Sequence, residues 1–206
     1  MNKFSIIMTV FDNGSDLEEH LPAFMTQAYE PGYEVIVVDE SSTDHTDDVL
    51  KLMKQQYPHL YTTFVPKPDI HIVRKRLALT IGVKASKNEW IIFSDINSSP
   101  QDETWLQTIA SNLENTSGIL LGYYKKGELK TRLFEDIEAV SDYIVKGERQ
   151  RADGHKGTRL RTLRGKYDFV AVRANEAHEL LKYFEQSVGF GRLFGLRMRI
   201  LFRNLF

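Results

Sequence analysis

A chain of 206 residues with 27 basic and 28 acidic side chains, a net charge of −1 and no cysteine can build a sizeable core, but it holds no disulfide and no thiolate metal site. The near balance of charge gives no reason to expect nucleic acid as a partner, and the lack of cysteine fits a reducing, cytoplasmic setting. No apolar run reaches the length of a signal peptide or a membrane span, so none is expected to act as one.

Residues 4–10, FSIIMTV, are apolar and β-rich and predict a first strand, ended by the polar turn FDNGS. A helix is expected from Ser15, whose spacing to Glu18 is that of a capping box. Leu17, Leu21, Phe24 and Ala28 share its apolar face, and Pro22 is expected to kink or restart it. Residues 33–40, YEVIVVDE, run almost unbroken to an acidic end, as a strand buried on both faces of a parallel sheet does. STDHTDDVLKLMKQQY opens with capping residues and acids at the positive end of a predicted helix. YTTFVP reads as a short strand. IVRKRLALTIGVKAS reads as a helix with Ile72, Arg76, Leu79 and Val83 on one stripe, and WIIFSD as a second buried strand.

The second half is less regular. TWLQTIASNLE predicts a helix, GILLGYY a strand, TRLFEDIEAVSDYIVKG an amphipathic helix, TRLRTLRGKYDFVAVR a hairpin turning at 164–166, and ANEAHELLKYFEQ a helix. No repeat or linker divides the chain, so a single domain over 1–206 is expected.

The alternation through the first hundred residues predicts an α/β fold. Its mostly parallel, doubly wound sheet is flanked by helices, has right-handed crossovers, and is followed by a less regular C-terminal part. Ligands of such sheets bind beyond the carboxyl ends of the strands. Those ends here are residues 9–12, 39–42 and 95–97, each polar. In IIFSDINSSP an oily strand stops on Asp95, with Asn97 two residues on. This is either a pair of oxygen ligands for a divalent cation or an Asx turn.

Charge is unevenly spread. Bases dominate from Arg149 to Lys166, and no acid follows Glu185. As a helix the tail GRLFGLRMRILFRNLF puts Arg192, Arg199 and Arg203 near one face and Phe194, Met198, Leu201 and Leu205 near another. That pattern suits a helix lying on an anionic membrane surface, or one packing its oily face on the domain.

Four segments in order resemble the family-two glycosyltransferases with a GT-A (Rossmann-like) fold: SIIMTVFDN, EVIVVDESSTDHT, KRLALTIGVKASKNEW and FSDINSSPQDETWL. The resemblance covers residues 4–106 and implies a nucleotide-sugar-binding half there, with 107–206 as an acceptor-side half. It implies a donor pocket formed by Thr9, Phe11, Asp12, Asp39, Ser41, Lys75 and Asp95, with Asp39 on the base or ribose and Lys75 on the donor phosphates. It implies Mg²⁺ or Mn²⁺ on the diphosphate, held by Asp95 and Asn97. The expected activity is hexosyl transfer from a UDP- or GDP-sugar to a glycan or lipid-linked acceptor in cell-surface polysaccharide synthesis, on the inner face of the membrane.

Three departures stand out. Glu40 and Asn97 occupy places where the family pattern has Asp, and the late acidic motif that supplies the general base is replaced by Phe190 and Gly191. Asp102 or Glu103 would have to complete the metal site, and Asp168, Glu176 or Glu179 would have to supply the base. The second reading is a catalytically impaired or truncated relative that binds nucleotide or a partner without transfer.

Overall fold

Runs of β-branched residues become central strands because both their faces can be covered by helices. In the computed structural model, which describes residues 2–66, 71–113, 118–140 and 167–187, this happens at β1 (Phe4–Val10), β2 (Tyr33–Asp39) and β4 (Trp90–Ser94), while β3 (Leu60–Phe64) lies at the edge of the sheet with Tyr61 and Phe64 exposed. Three further strands, β5 (Ile119–Lys125), β6 (Glu128–Phe134) and β7 (Phe169–Arg173), complete one seven-stranded sheet of order β3-β2-β1-β4-β7-β5-β6. The first four strands pair in parallel. The pairings of β4 with β7, β7 with β5 and β5 with β6 are antiparallel. The sheet is therefore mixed, half parallel and half antiparallel, where the sequence had suggested a mostly parallel one.

Helices cover both faces. Side chains alternate across each strand. Phe4, Ile6, Met8, Val35, Val37, Trp90 and Ile92 pack under α1 (Gly14–Met25), α2 (Thr46–Gln56) and α4 (Trp105–Asn112). Ile7, Ile36, Val38, Ile91 and Phe93 pack under α3 (His71–Ala85) and α5 (Ala174–Ser187). This alternation decides which face each polar strand end joins.

Several local expectations change. Helix α1 begins at Gly14, capped by Asn13 without a side-chain bond, so the Ser15–Glu18 box does not form. Pro22 lies inside α1, which ends three residues later, and Ala28 falls beyond it. The carboxylate of Asp44 ties two helix starts together, accepting from Thr46 N at 3.0 Å and from Gly14 N at 2.9 Å. Residues 131–134, expected in a helix, belong to β6 because their backbone pairs with Ile119–Gly122 of β5. The turn at 164–166 and the basic tail lie outside the described residues.

Helix α3 seats closely on the sheet at Gly82. A Cβ there would stand 2.5 Å from Ile7 Cγ2 and 3.5 Å from Val38 Cγ2. Gly82→Val is expected to destabilise the fold by about 1–3 kcal/mol through overpacking. Urea unfolding would read this as a lower midpoint at an unchanged slope.

Candidate functional site

The strand order sets the location. From β1 the chain winds outward to β2 and β3, then α3 crosses back on the other face to β4, on β1's other side. The carboxyl ends of β1 and β4 therefore flank a topological switch point, where such sheets leave a crevice. A cavity of about 20 Å³ opens there, lined by Thr9, Lys75, Leu79, Phe93, Ser94, Asp95 and residues 167–170. It has room for about one water. An open cleft of about 540 Å³ adjoins it, lined by residues 97–101, Tyr124 and Asp168.

Asp168 belongs to both spaces. It precedes β7, which runs antiparallel to β4, so the start of β7 lies at the carboxyl edge. Its Oδ1 accepts from Ser98 Oγ at 3.2 Å and its Oδ2 from Tyr124 N at 2.6 Å. Its backbone carbonyl accepts from Ser94 Oγ at 3.2 Å. The carboxylate is thus fixed in orientation between the loop after β4 and the end of β5. Burial pushes the Tyr124 phenol above its usual range, against the hydrogen bond it accepts from the Gln101 backbone.

Lys75 projects from the first half of α3 into the small cavity, on the sheet face shared by Thr9, Phe93 and Asp95. Burial pulls its ammonium below the usual lysine range, while Asp95 and then Glu40 pull it back toward the charged form. Glu40, 8% exposed, follows Val38 on this same face at the end of β2. Glu40 stands in the sequence only as a departure from a pattern; its burial beside Lys75 is what marks it.

The structure thus brings Thr9, Lys75, Asp95 and Asp168 together. Asp39 sits at the same edge but on the other face of β2, that of Val35 and Val37, and its Oδ1 holds the following loop through Ser42 N at 3.0 Å and Ser42 Oγ at 2.5 Å. Asp12, at φ 51°, clamps the β2–α2 loop by accepting from Thr43 N at 2.7 Å. Ser41, at φ 66°, donates its hydroxyl to the Val65 carbonyl. Phe11 is exposed at the end of β1, and Phe64, 65% exposed, lies opposite Asp39 on β3. These residues form a rim beside the cavity rather than its lining. Glu176 and Glu179 are not brought to the site, because α5 starts after Arg173, which pairs with Trp90 at the opposite edge.

The model of the family Glycosyl transferase family 2 matches residues 5–201. The chain belongs to this family. A poly(ribitol-phosphate) beta-glucosyltransferase of Bacillus spizizenii is 28% identical over 69% of this chain and 23% of its own length. A poly(ribitol-phosphate) beta-N-acetylglucosaminyltransferase, TarP, of Staphylococcus aureus is 26% identical over 60% of this chain and 37% of its own. The mannosyltransferase PcManGT of Pyrobaculum calidifontis, solved with GDP-Man and Mn²⁺, superposes with a TM-score of 0.59 at 16% identity, covering 87% of this chain and 46% of that one. That likeness carries the fold, the GT-A arrangement. The matches span 23% to 38% of the lengths of the curated relatives.

Family-two glycosyltransferases with this fold imply a divalent cation, and its fit can be tested on Asp95 and Asn97. Asp95 Oδ1 accepts from Asn97 N at 2.9 Å and from Asn97 Nδ2 at 3.2 Å, and it caps the 3-10 turn Ile96–Ser98. Asn97 turns its amide nitrogen toward Asp95, so Asp95 supplies the one carboxylate of this turn. Asp102 does not complete the set, since its Oδ1 holds the start of α4 through Thr104 N at 2.9 Å. Among the described residues no group of three His, Asp or Glu side chains could enclose a metal ion. Mg²⁺ and Mn²⁺ prefer several hard oxygens, and Mg²⁺ keeps several waters. The Asp95–Asn97 pair closes a turn at the wall of the open cleft, and it would offer a cation one carboxylate, the rest of the shell coming from the donor's diphosphate oxygens and water.

Proposed function

We propose that this chain carries the donor-binding part of a glycosyltransferase that moves a hexose from a UDP- or GDP-sugar to a glycan or lipid-linked acceptor of a cell-surface polysaccharide. The observation that carries the reading is Asp168, which forms part of the wall of both the Lys75–Asp95 cavity and the open cleft. In this reading the donor lies along the carboxyl edge. Its base sits at the rim of Phe11, Asp12, Asp39 and Ser41, its diphosphate near Thr9 and Lys75, and its sugar in the cleft. An acceptor hydroxyl attacks the anomeric carbon. Asp168 takes the hydroxyl proton, and the bond from that carbon to the diphosphate oxygen breaks with its electron pair going to the diphosphate. The relatives' names favour a phosphate-containing polymer as acceptor.

Residues 1–106 then serve the donor and 107–206 the acceptor, within one domain built on one sheet. Among the described residues no helix is long and apolar enough to cross a membrane. Contact with an anionic inner membrane surface is assigned to the basic tail after Glu185. The second reading, a relative that binds nucleotide without transfer, is favoured by Phe190 and Gly191, which stand where the family pattern has its late acids. A hydrolysis screen of UDP- and GDP-sugars separates the two. Turnover of at least one donor is expected, and binding without turnover would favour the second reading.

A further inference from the structure

The hairpin that joins β5 to β6 ends beside the open cleft. Both β5 and β4 run antiparallel to β7, so β5 also ends at the carboxyl edge. Its last residue is Lys125, and the turn that follows is Lys126–Gly127, at φ 53° and 82°. Two positive φ angles are what a two-residue type I′ turn needs, and Asn or Asp is the usual residue before its Gly. A lysine there gives up that preference and puts an ammonium at the tip. The tip meets the cleft wall: a Cβ on Gly127 would stand 3.9 Å from Gln101 Oε1, and Gln101 N donates to the Tyr124 hydroxyl at 3.2 Å. Lys125 and Lys126 are exposed, and among the described residues neither has a carboxylate partner, whereas Lys130 is held by Glu128 at 2.6 Å. The tip therefore carries uncompensated positive charge. The cleft beside it differs. Asp168 is the one charged side chain of its described lining, and Ser98, Ser99, Gln101 and Tyr124 offer neutral hydroxyl and amide groups. Asp102, the other acid of this loop, is turned to Thr104 N and Oγ1.

We infer that the hairpin tip is the anion subsite of the acceptor: Lys125 and Lys126 hold a phosphodiester of a polyol chain, while the neighbouring hydroxyl-bearing unit enters the cleft toward Asp168. The inference rests on the acceptor reading above. Hydroxyls are recognised by groups that both donate and accept, as the cleft wall does, and a phosphodiester by cations. A phosphate drawn into the cleft would face the Asp168 carboxylate, a like charge. Held at the tip, it stays in solvent and keeps its distance from that acid. Each ammonium is a compact point charge on a flexible stem, so two on one turn can follow a phosphate without a fixed fork. Lys125 and Lys126 bind the chain and take no part in the bond changes at the anomeric carbon.

The test is calorimetric titration of the full chain with two synthetic probes, an oligomer of polyol units joined by phosphodiesters and a neutral oligomer of the same polyol joined by ethers. Wild type is expected to bind the charged oligomer more tightly. The double variant Lys125→Gln, Lys126→Asn is expected to lose about five- to thirtyfold in affinity for the charged oligomer, and less than about twofold for the neutral one and for UDP or GDP. Asn suits the turn, so the hairpin should keep its shape. The gap between the two proteins should narrow as salt is raised. Equal affinity of wild type for the two oligomers, or of the two proteins for the charged one, would overturn the inference while leaving the donor site, read by UDP and GDP titration, standing. Vesicles of phosphatidylcholine and phosphatidylglycerol give the other arm. If the variant loses vesicle binding and keeps the charged oligomer, the tip serves a membrane and the inference fails. Binding of neither nucleotide by wild type would overturn the donor-site reading and this inference with it.

Discussion

Asp168→Asn is expected to slow sugar transfer by about 10²–10⁴-fold, the usual contribution of a positioned general base, while nucleoside diphosphate affinity stays within about twofold. The amide oxygen of Asn can still accept from Tyr124 N, so the start of β7 and the two spaces it borders should keep their shape. What is lost is the capacity to take a proton. Calorimetry and transfer rates on the same preparation separate the two effects. A fall in nucleotide affinity equal to the fall in rate would show that Asp168 shapes the donor pocket instead. An unchanged rate would return the search for the base to residues beyond those described. Glu176→Gln and Glu179→Gln serve as comparison variants, since α5 starts at the far edge, and neither should alter the rate.

The second large effect is expected from Asn97→Asp. In the present turn Asn97 donates its amide nitrogen to Asp95 Oδ1. A carboxylate of nearly the same volume cannot donate, and two carboxylates two residues apart repel unless a cation lies between them. Mn²⁺ should therefore bind this variant in the presence of UDP or GDP at least about tenfold more tightly than it binds the wild type, since a charged hard oxygen is added to the set. Equal Mn²⁺ affinity in both proteins would show that Asn97 contributes nothing to cation choice. In the variant, EDTA should weaken nucleotide binding more than it does in the wild type.

Much of the fold was legible because central parallel strands carry an unmistakable pattern. VIVV in β2 and WIIF in β4 have no polar face, and each is followed by capping residues or acids. The antiparallel half was harder. The pairing of Trp90 with Arg173 joins residues far apart in sequence, and no local period reports it. Strand β6 is an edge strand with mostly exposed side chains, and its TRLF reads as helix until the backbone bonds to β5 are known.

The site divides in the same way. Thr9, Lys75 and Asp95 come from strand ends and a helix that the sequence pattern aligned, and the structure gathers them. Asp12 and Ser41 stand in the same polar turns, but their left-handed backbones aim their oxygens at neighbouring loops. Asp39 and Glu40 are adjacent in sequence and on opposite faces in space, so only the strand's register tells which one meets Lys75. Asp168 could be named only as one of three acids without an order among them. Its rank follows from the antiparallel course of β7, which carries residue 168 to the ligand edge and the start of α5 to the other.

The crystal structure of the chain with UDP or GDP, whichever binds more tightly, tests the central claim most directly. The account predicts the diphosphate at the carboxyl edge between β1 and β4, with a phosphate oxygen within hydrogen-bond distance of Lys75 Nζ and the open face toward Asp168. A nucleotide bound at the opposite edge of the sheet, or at this edge with its diphosphate away from Lys75, would contradict it.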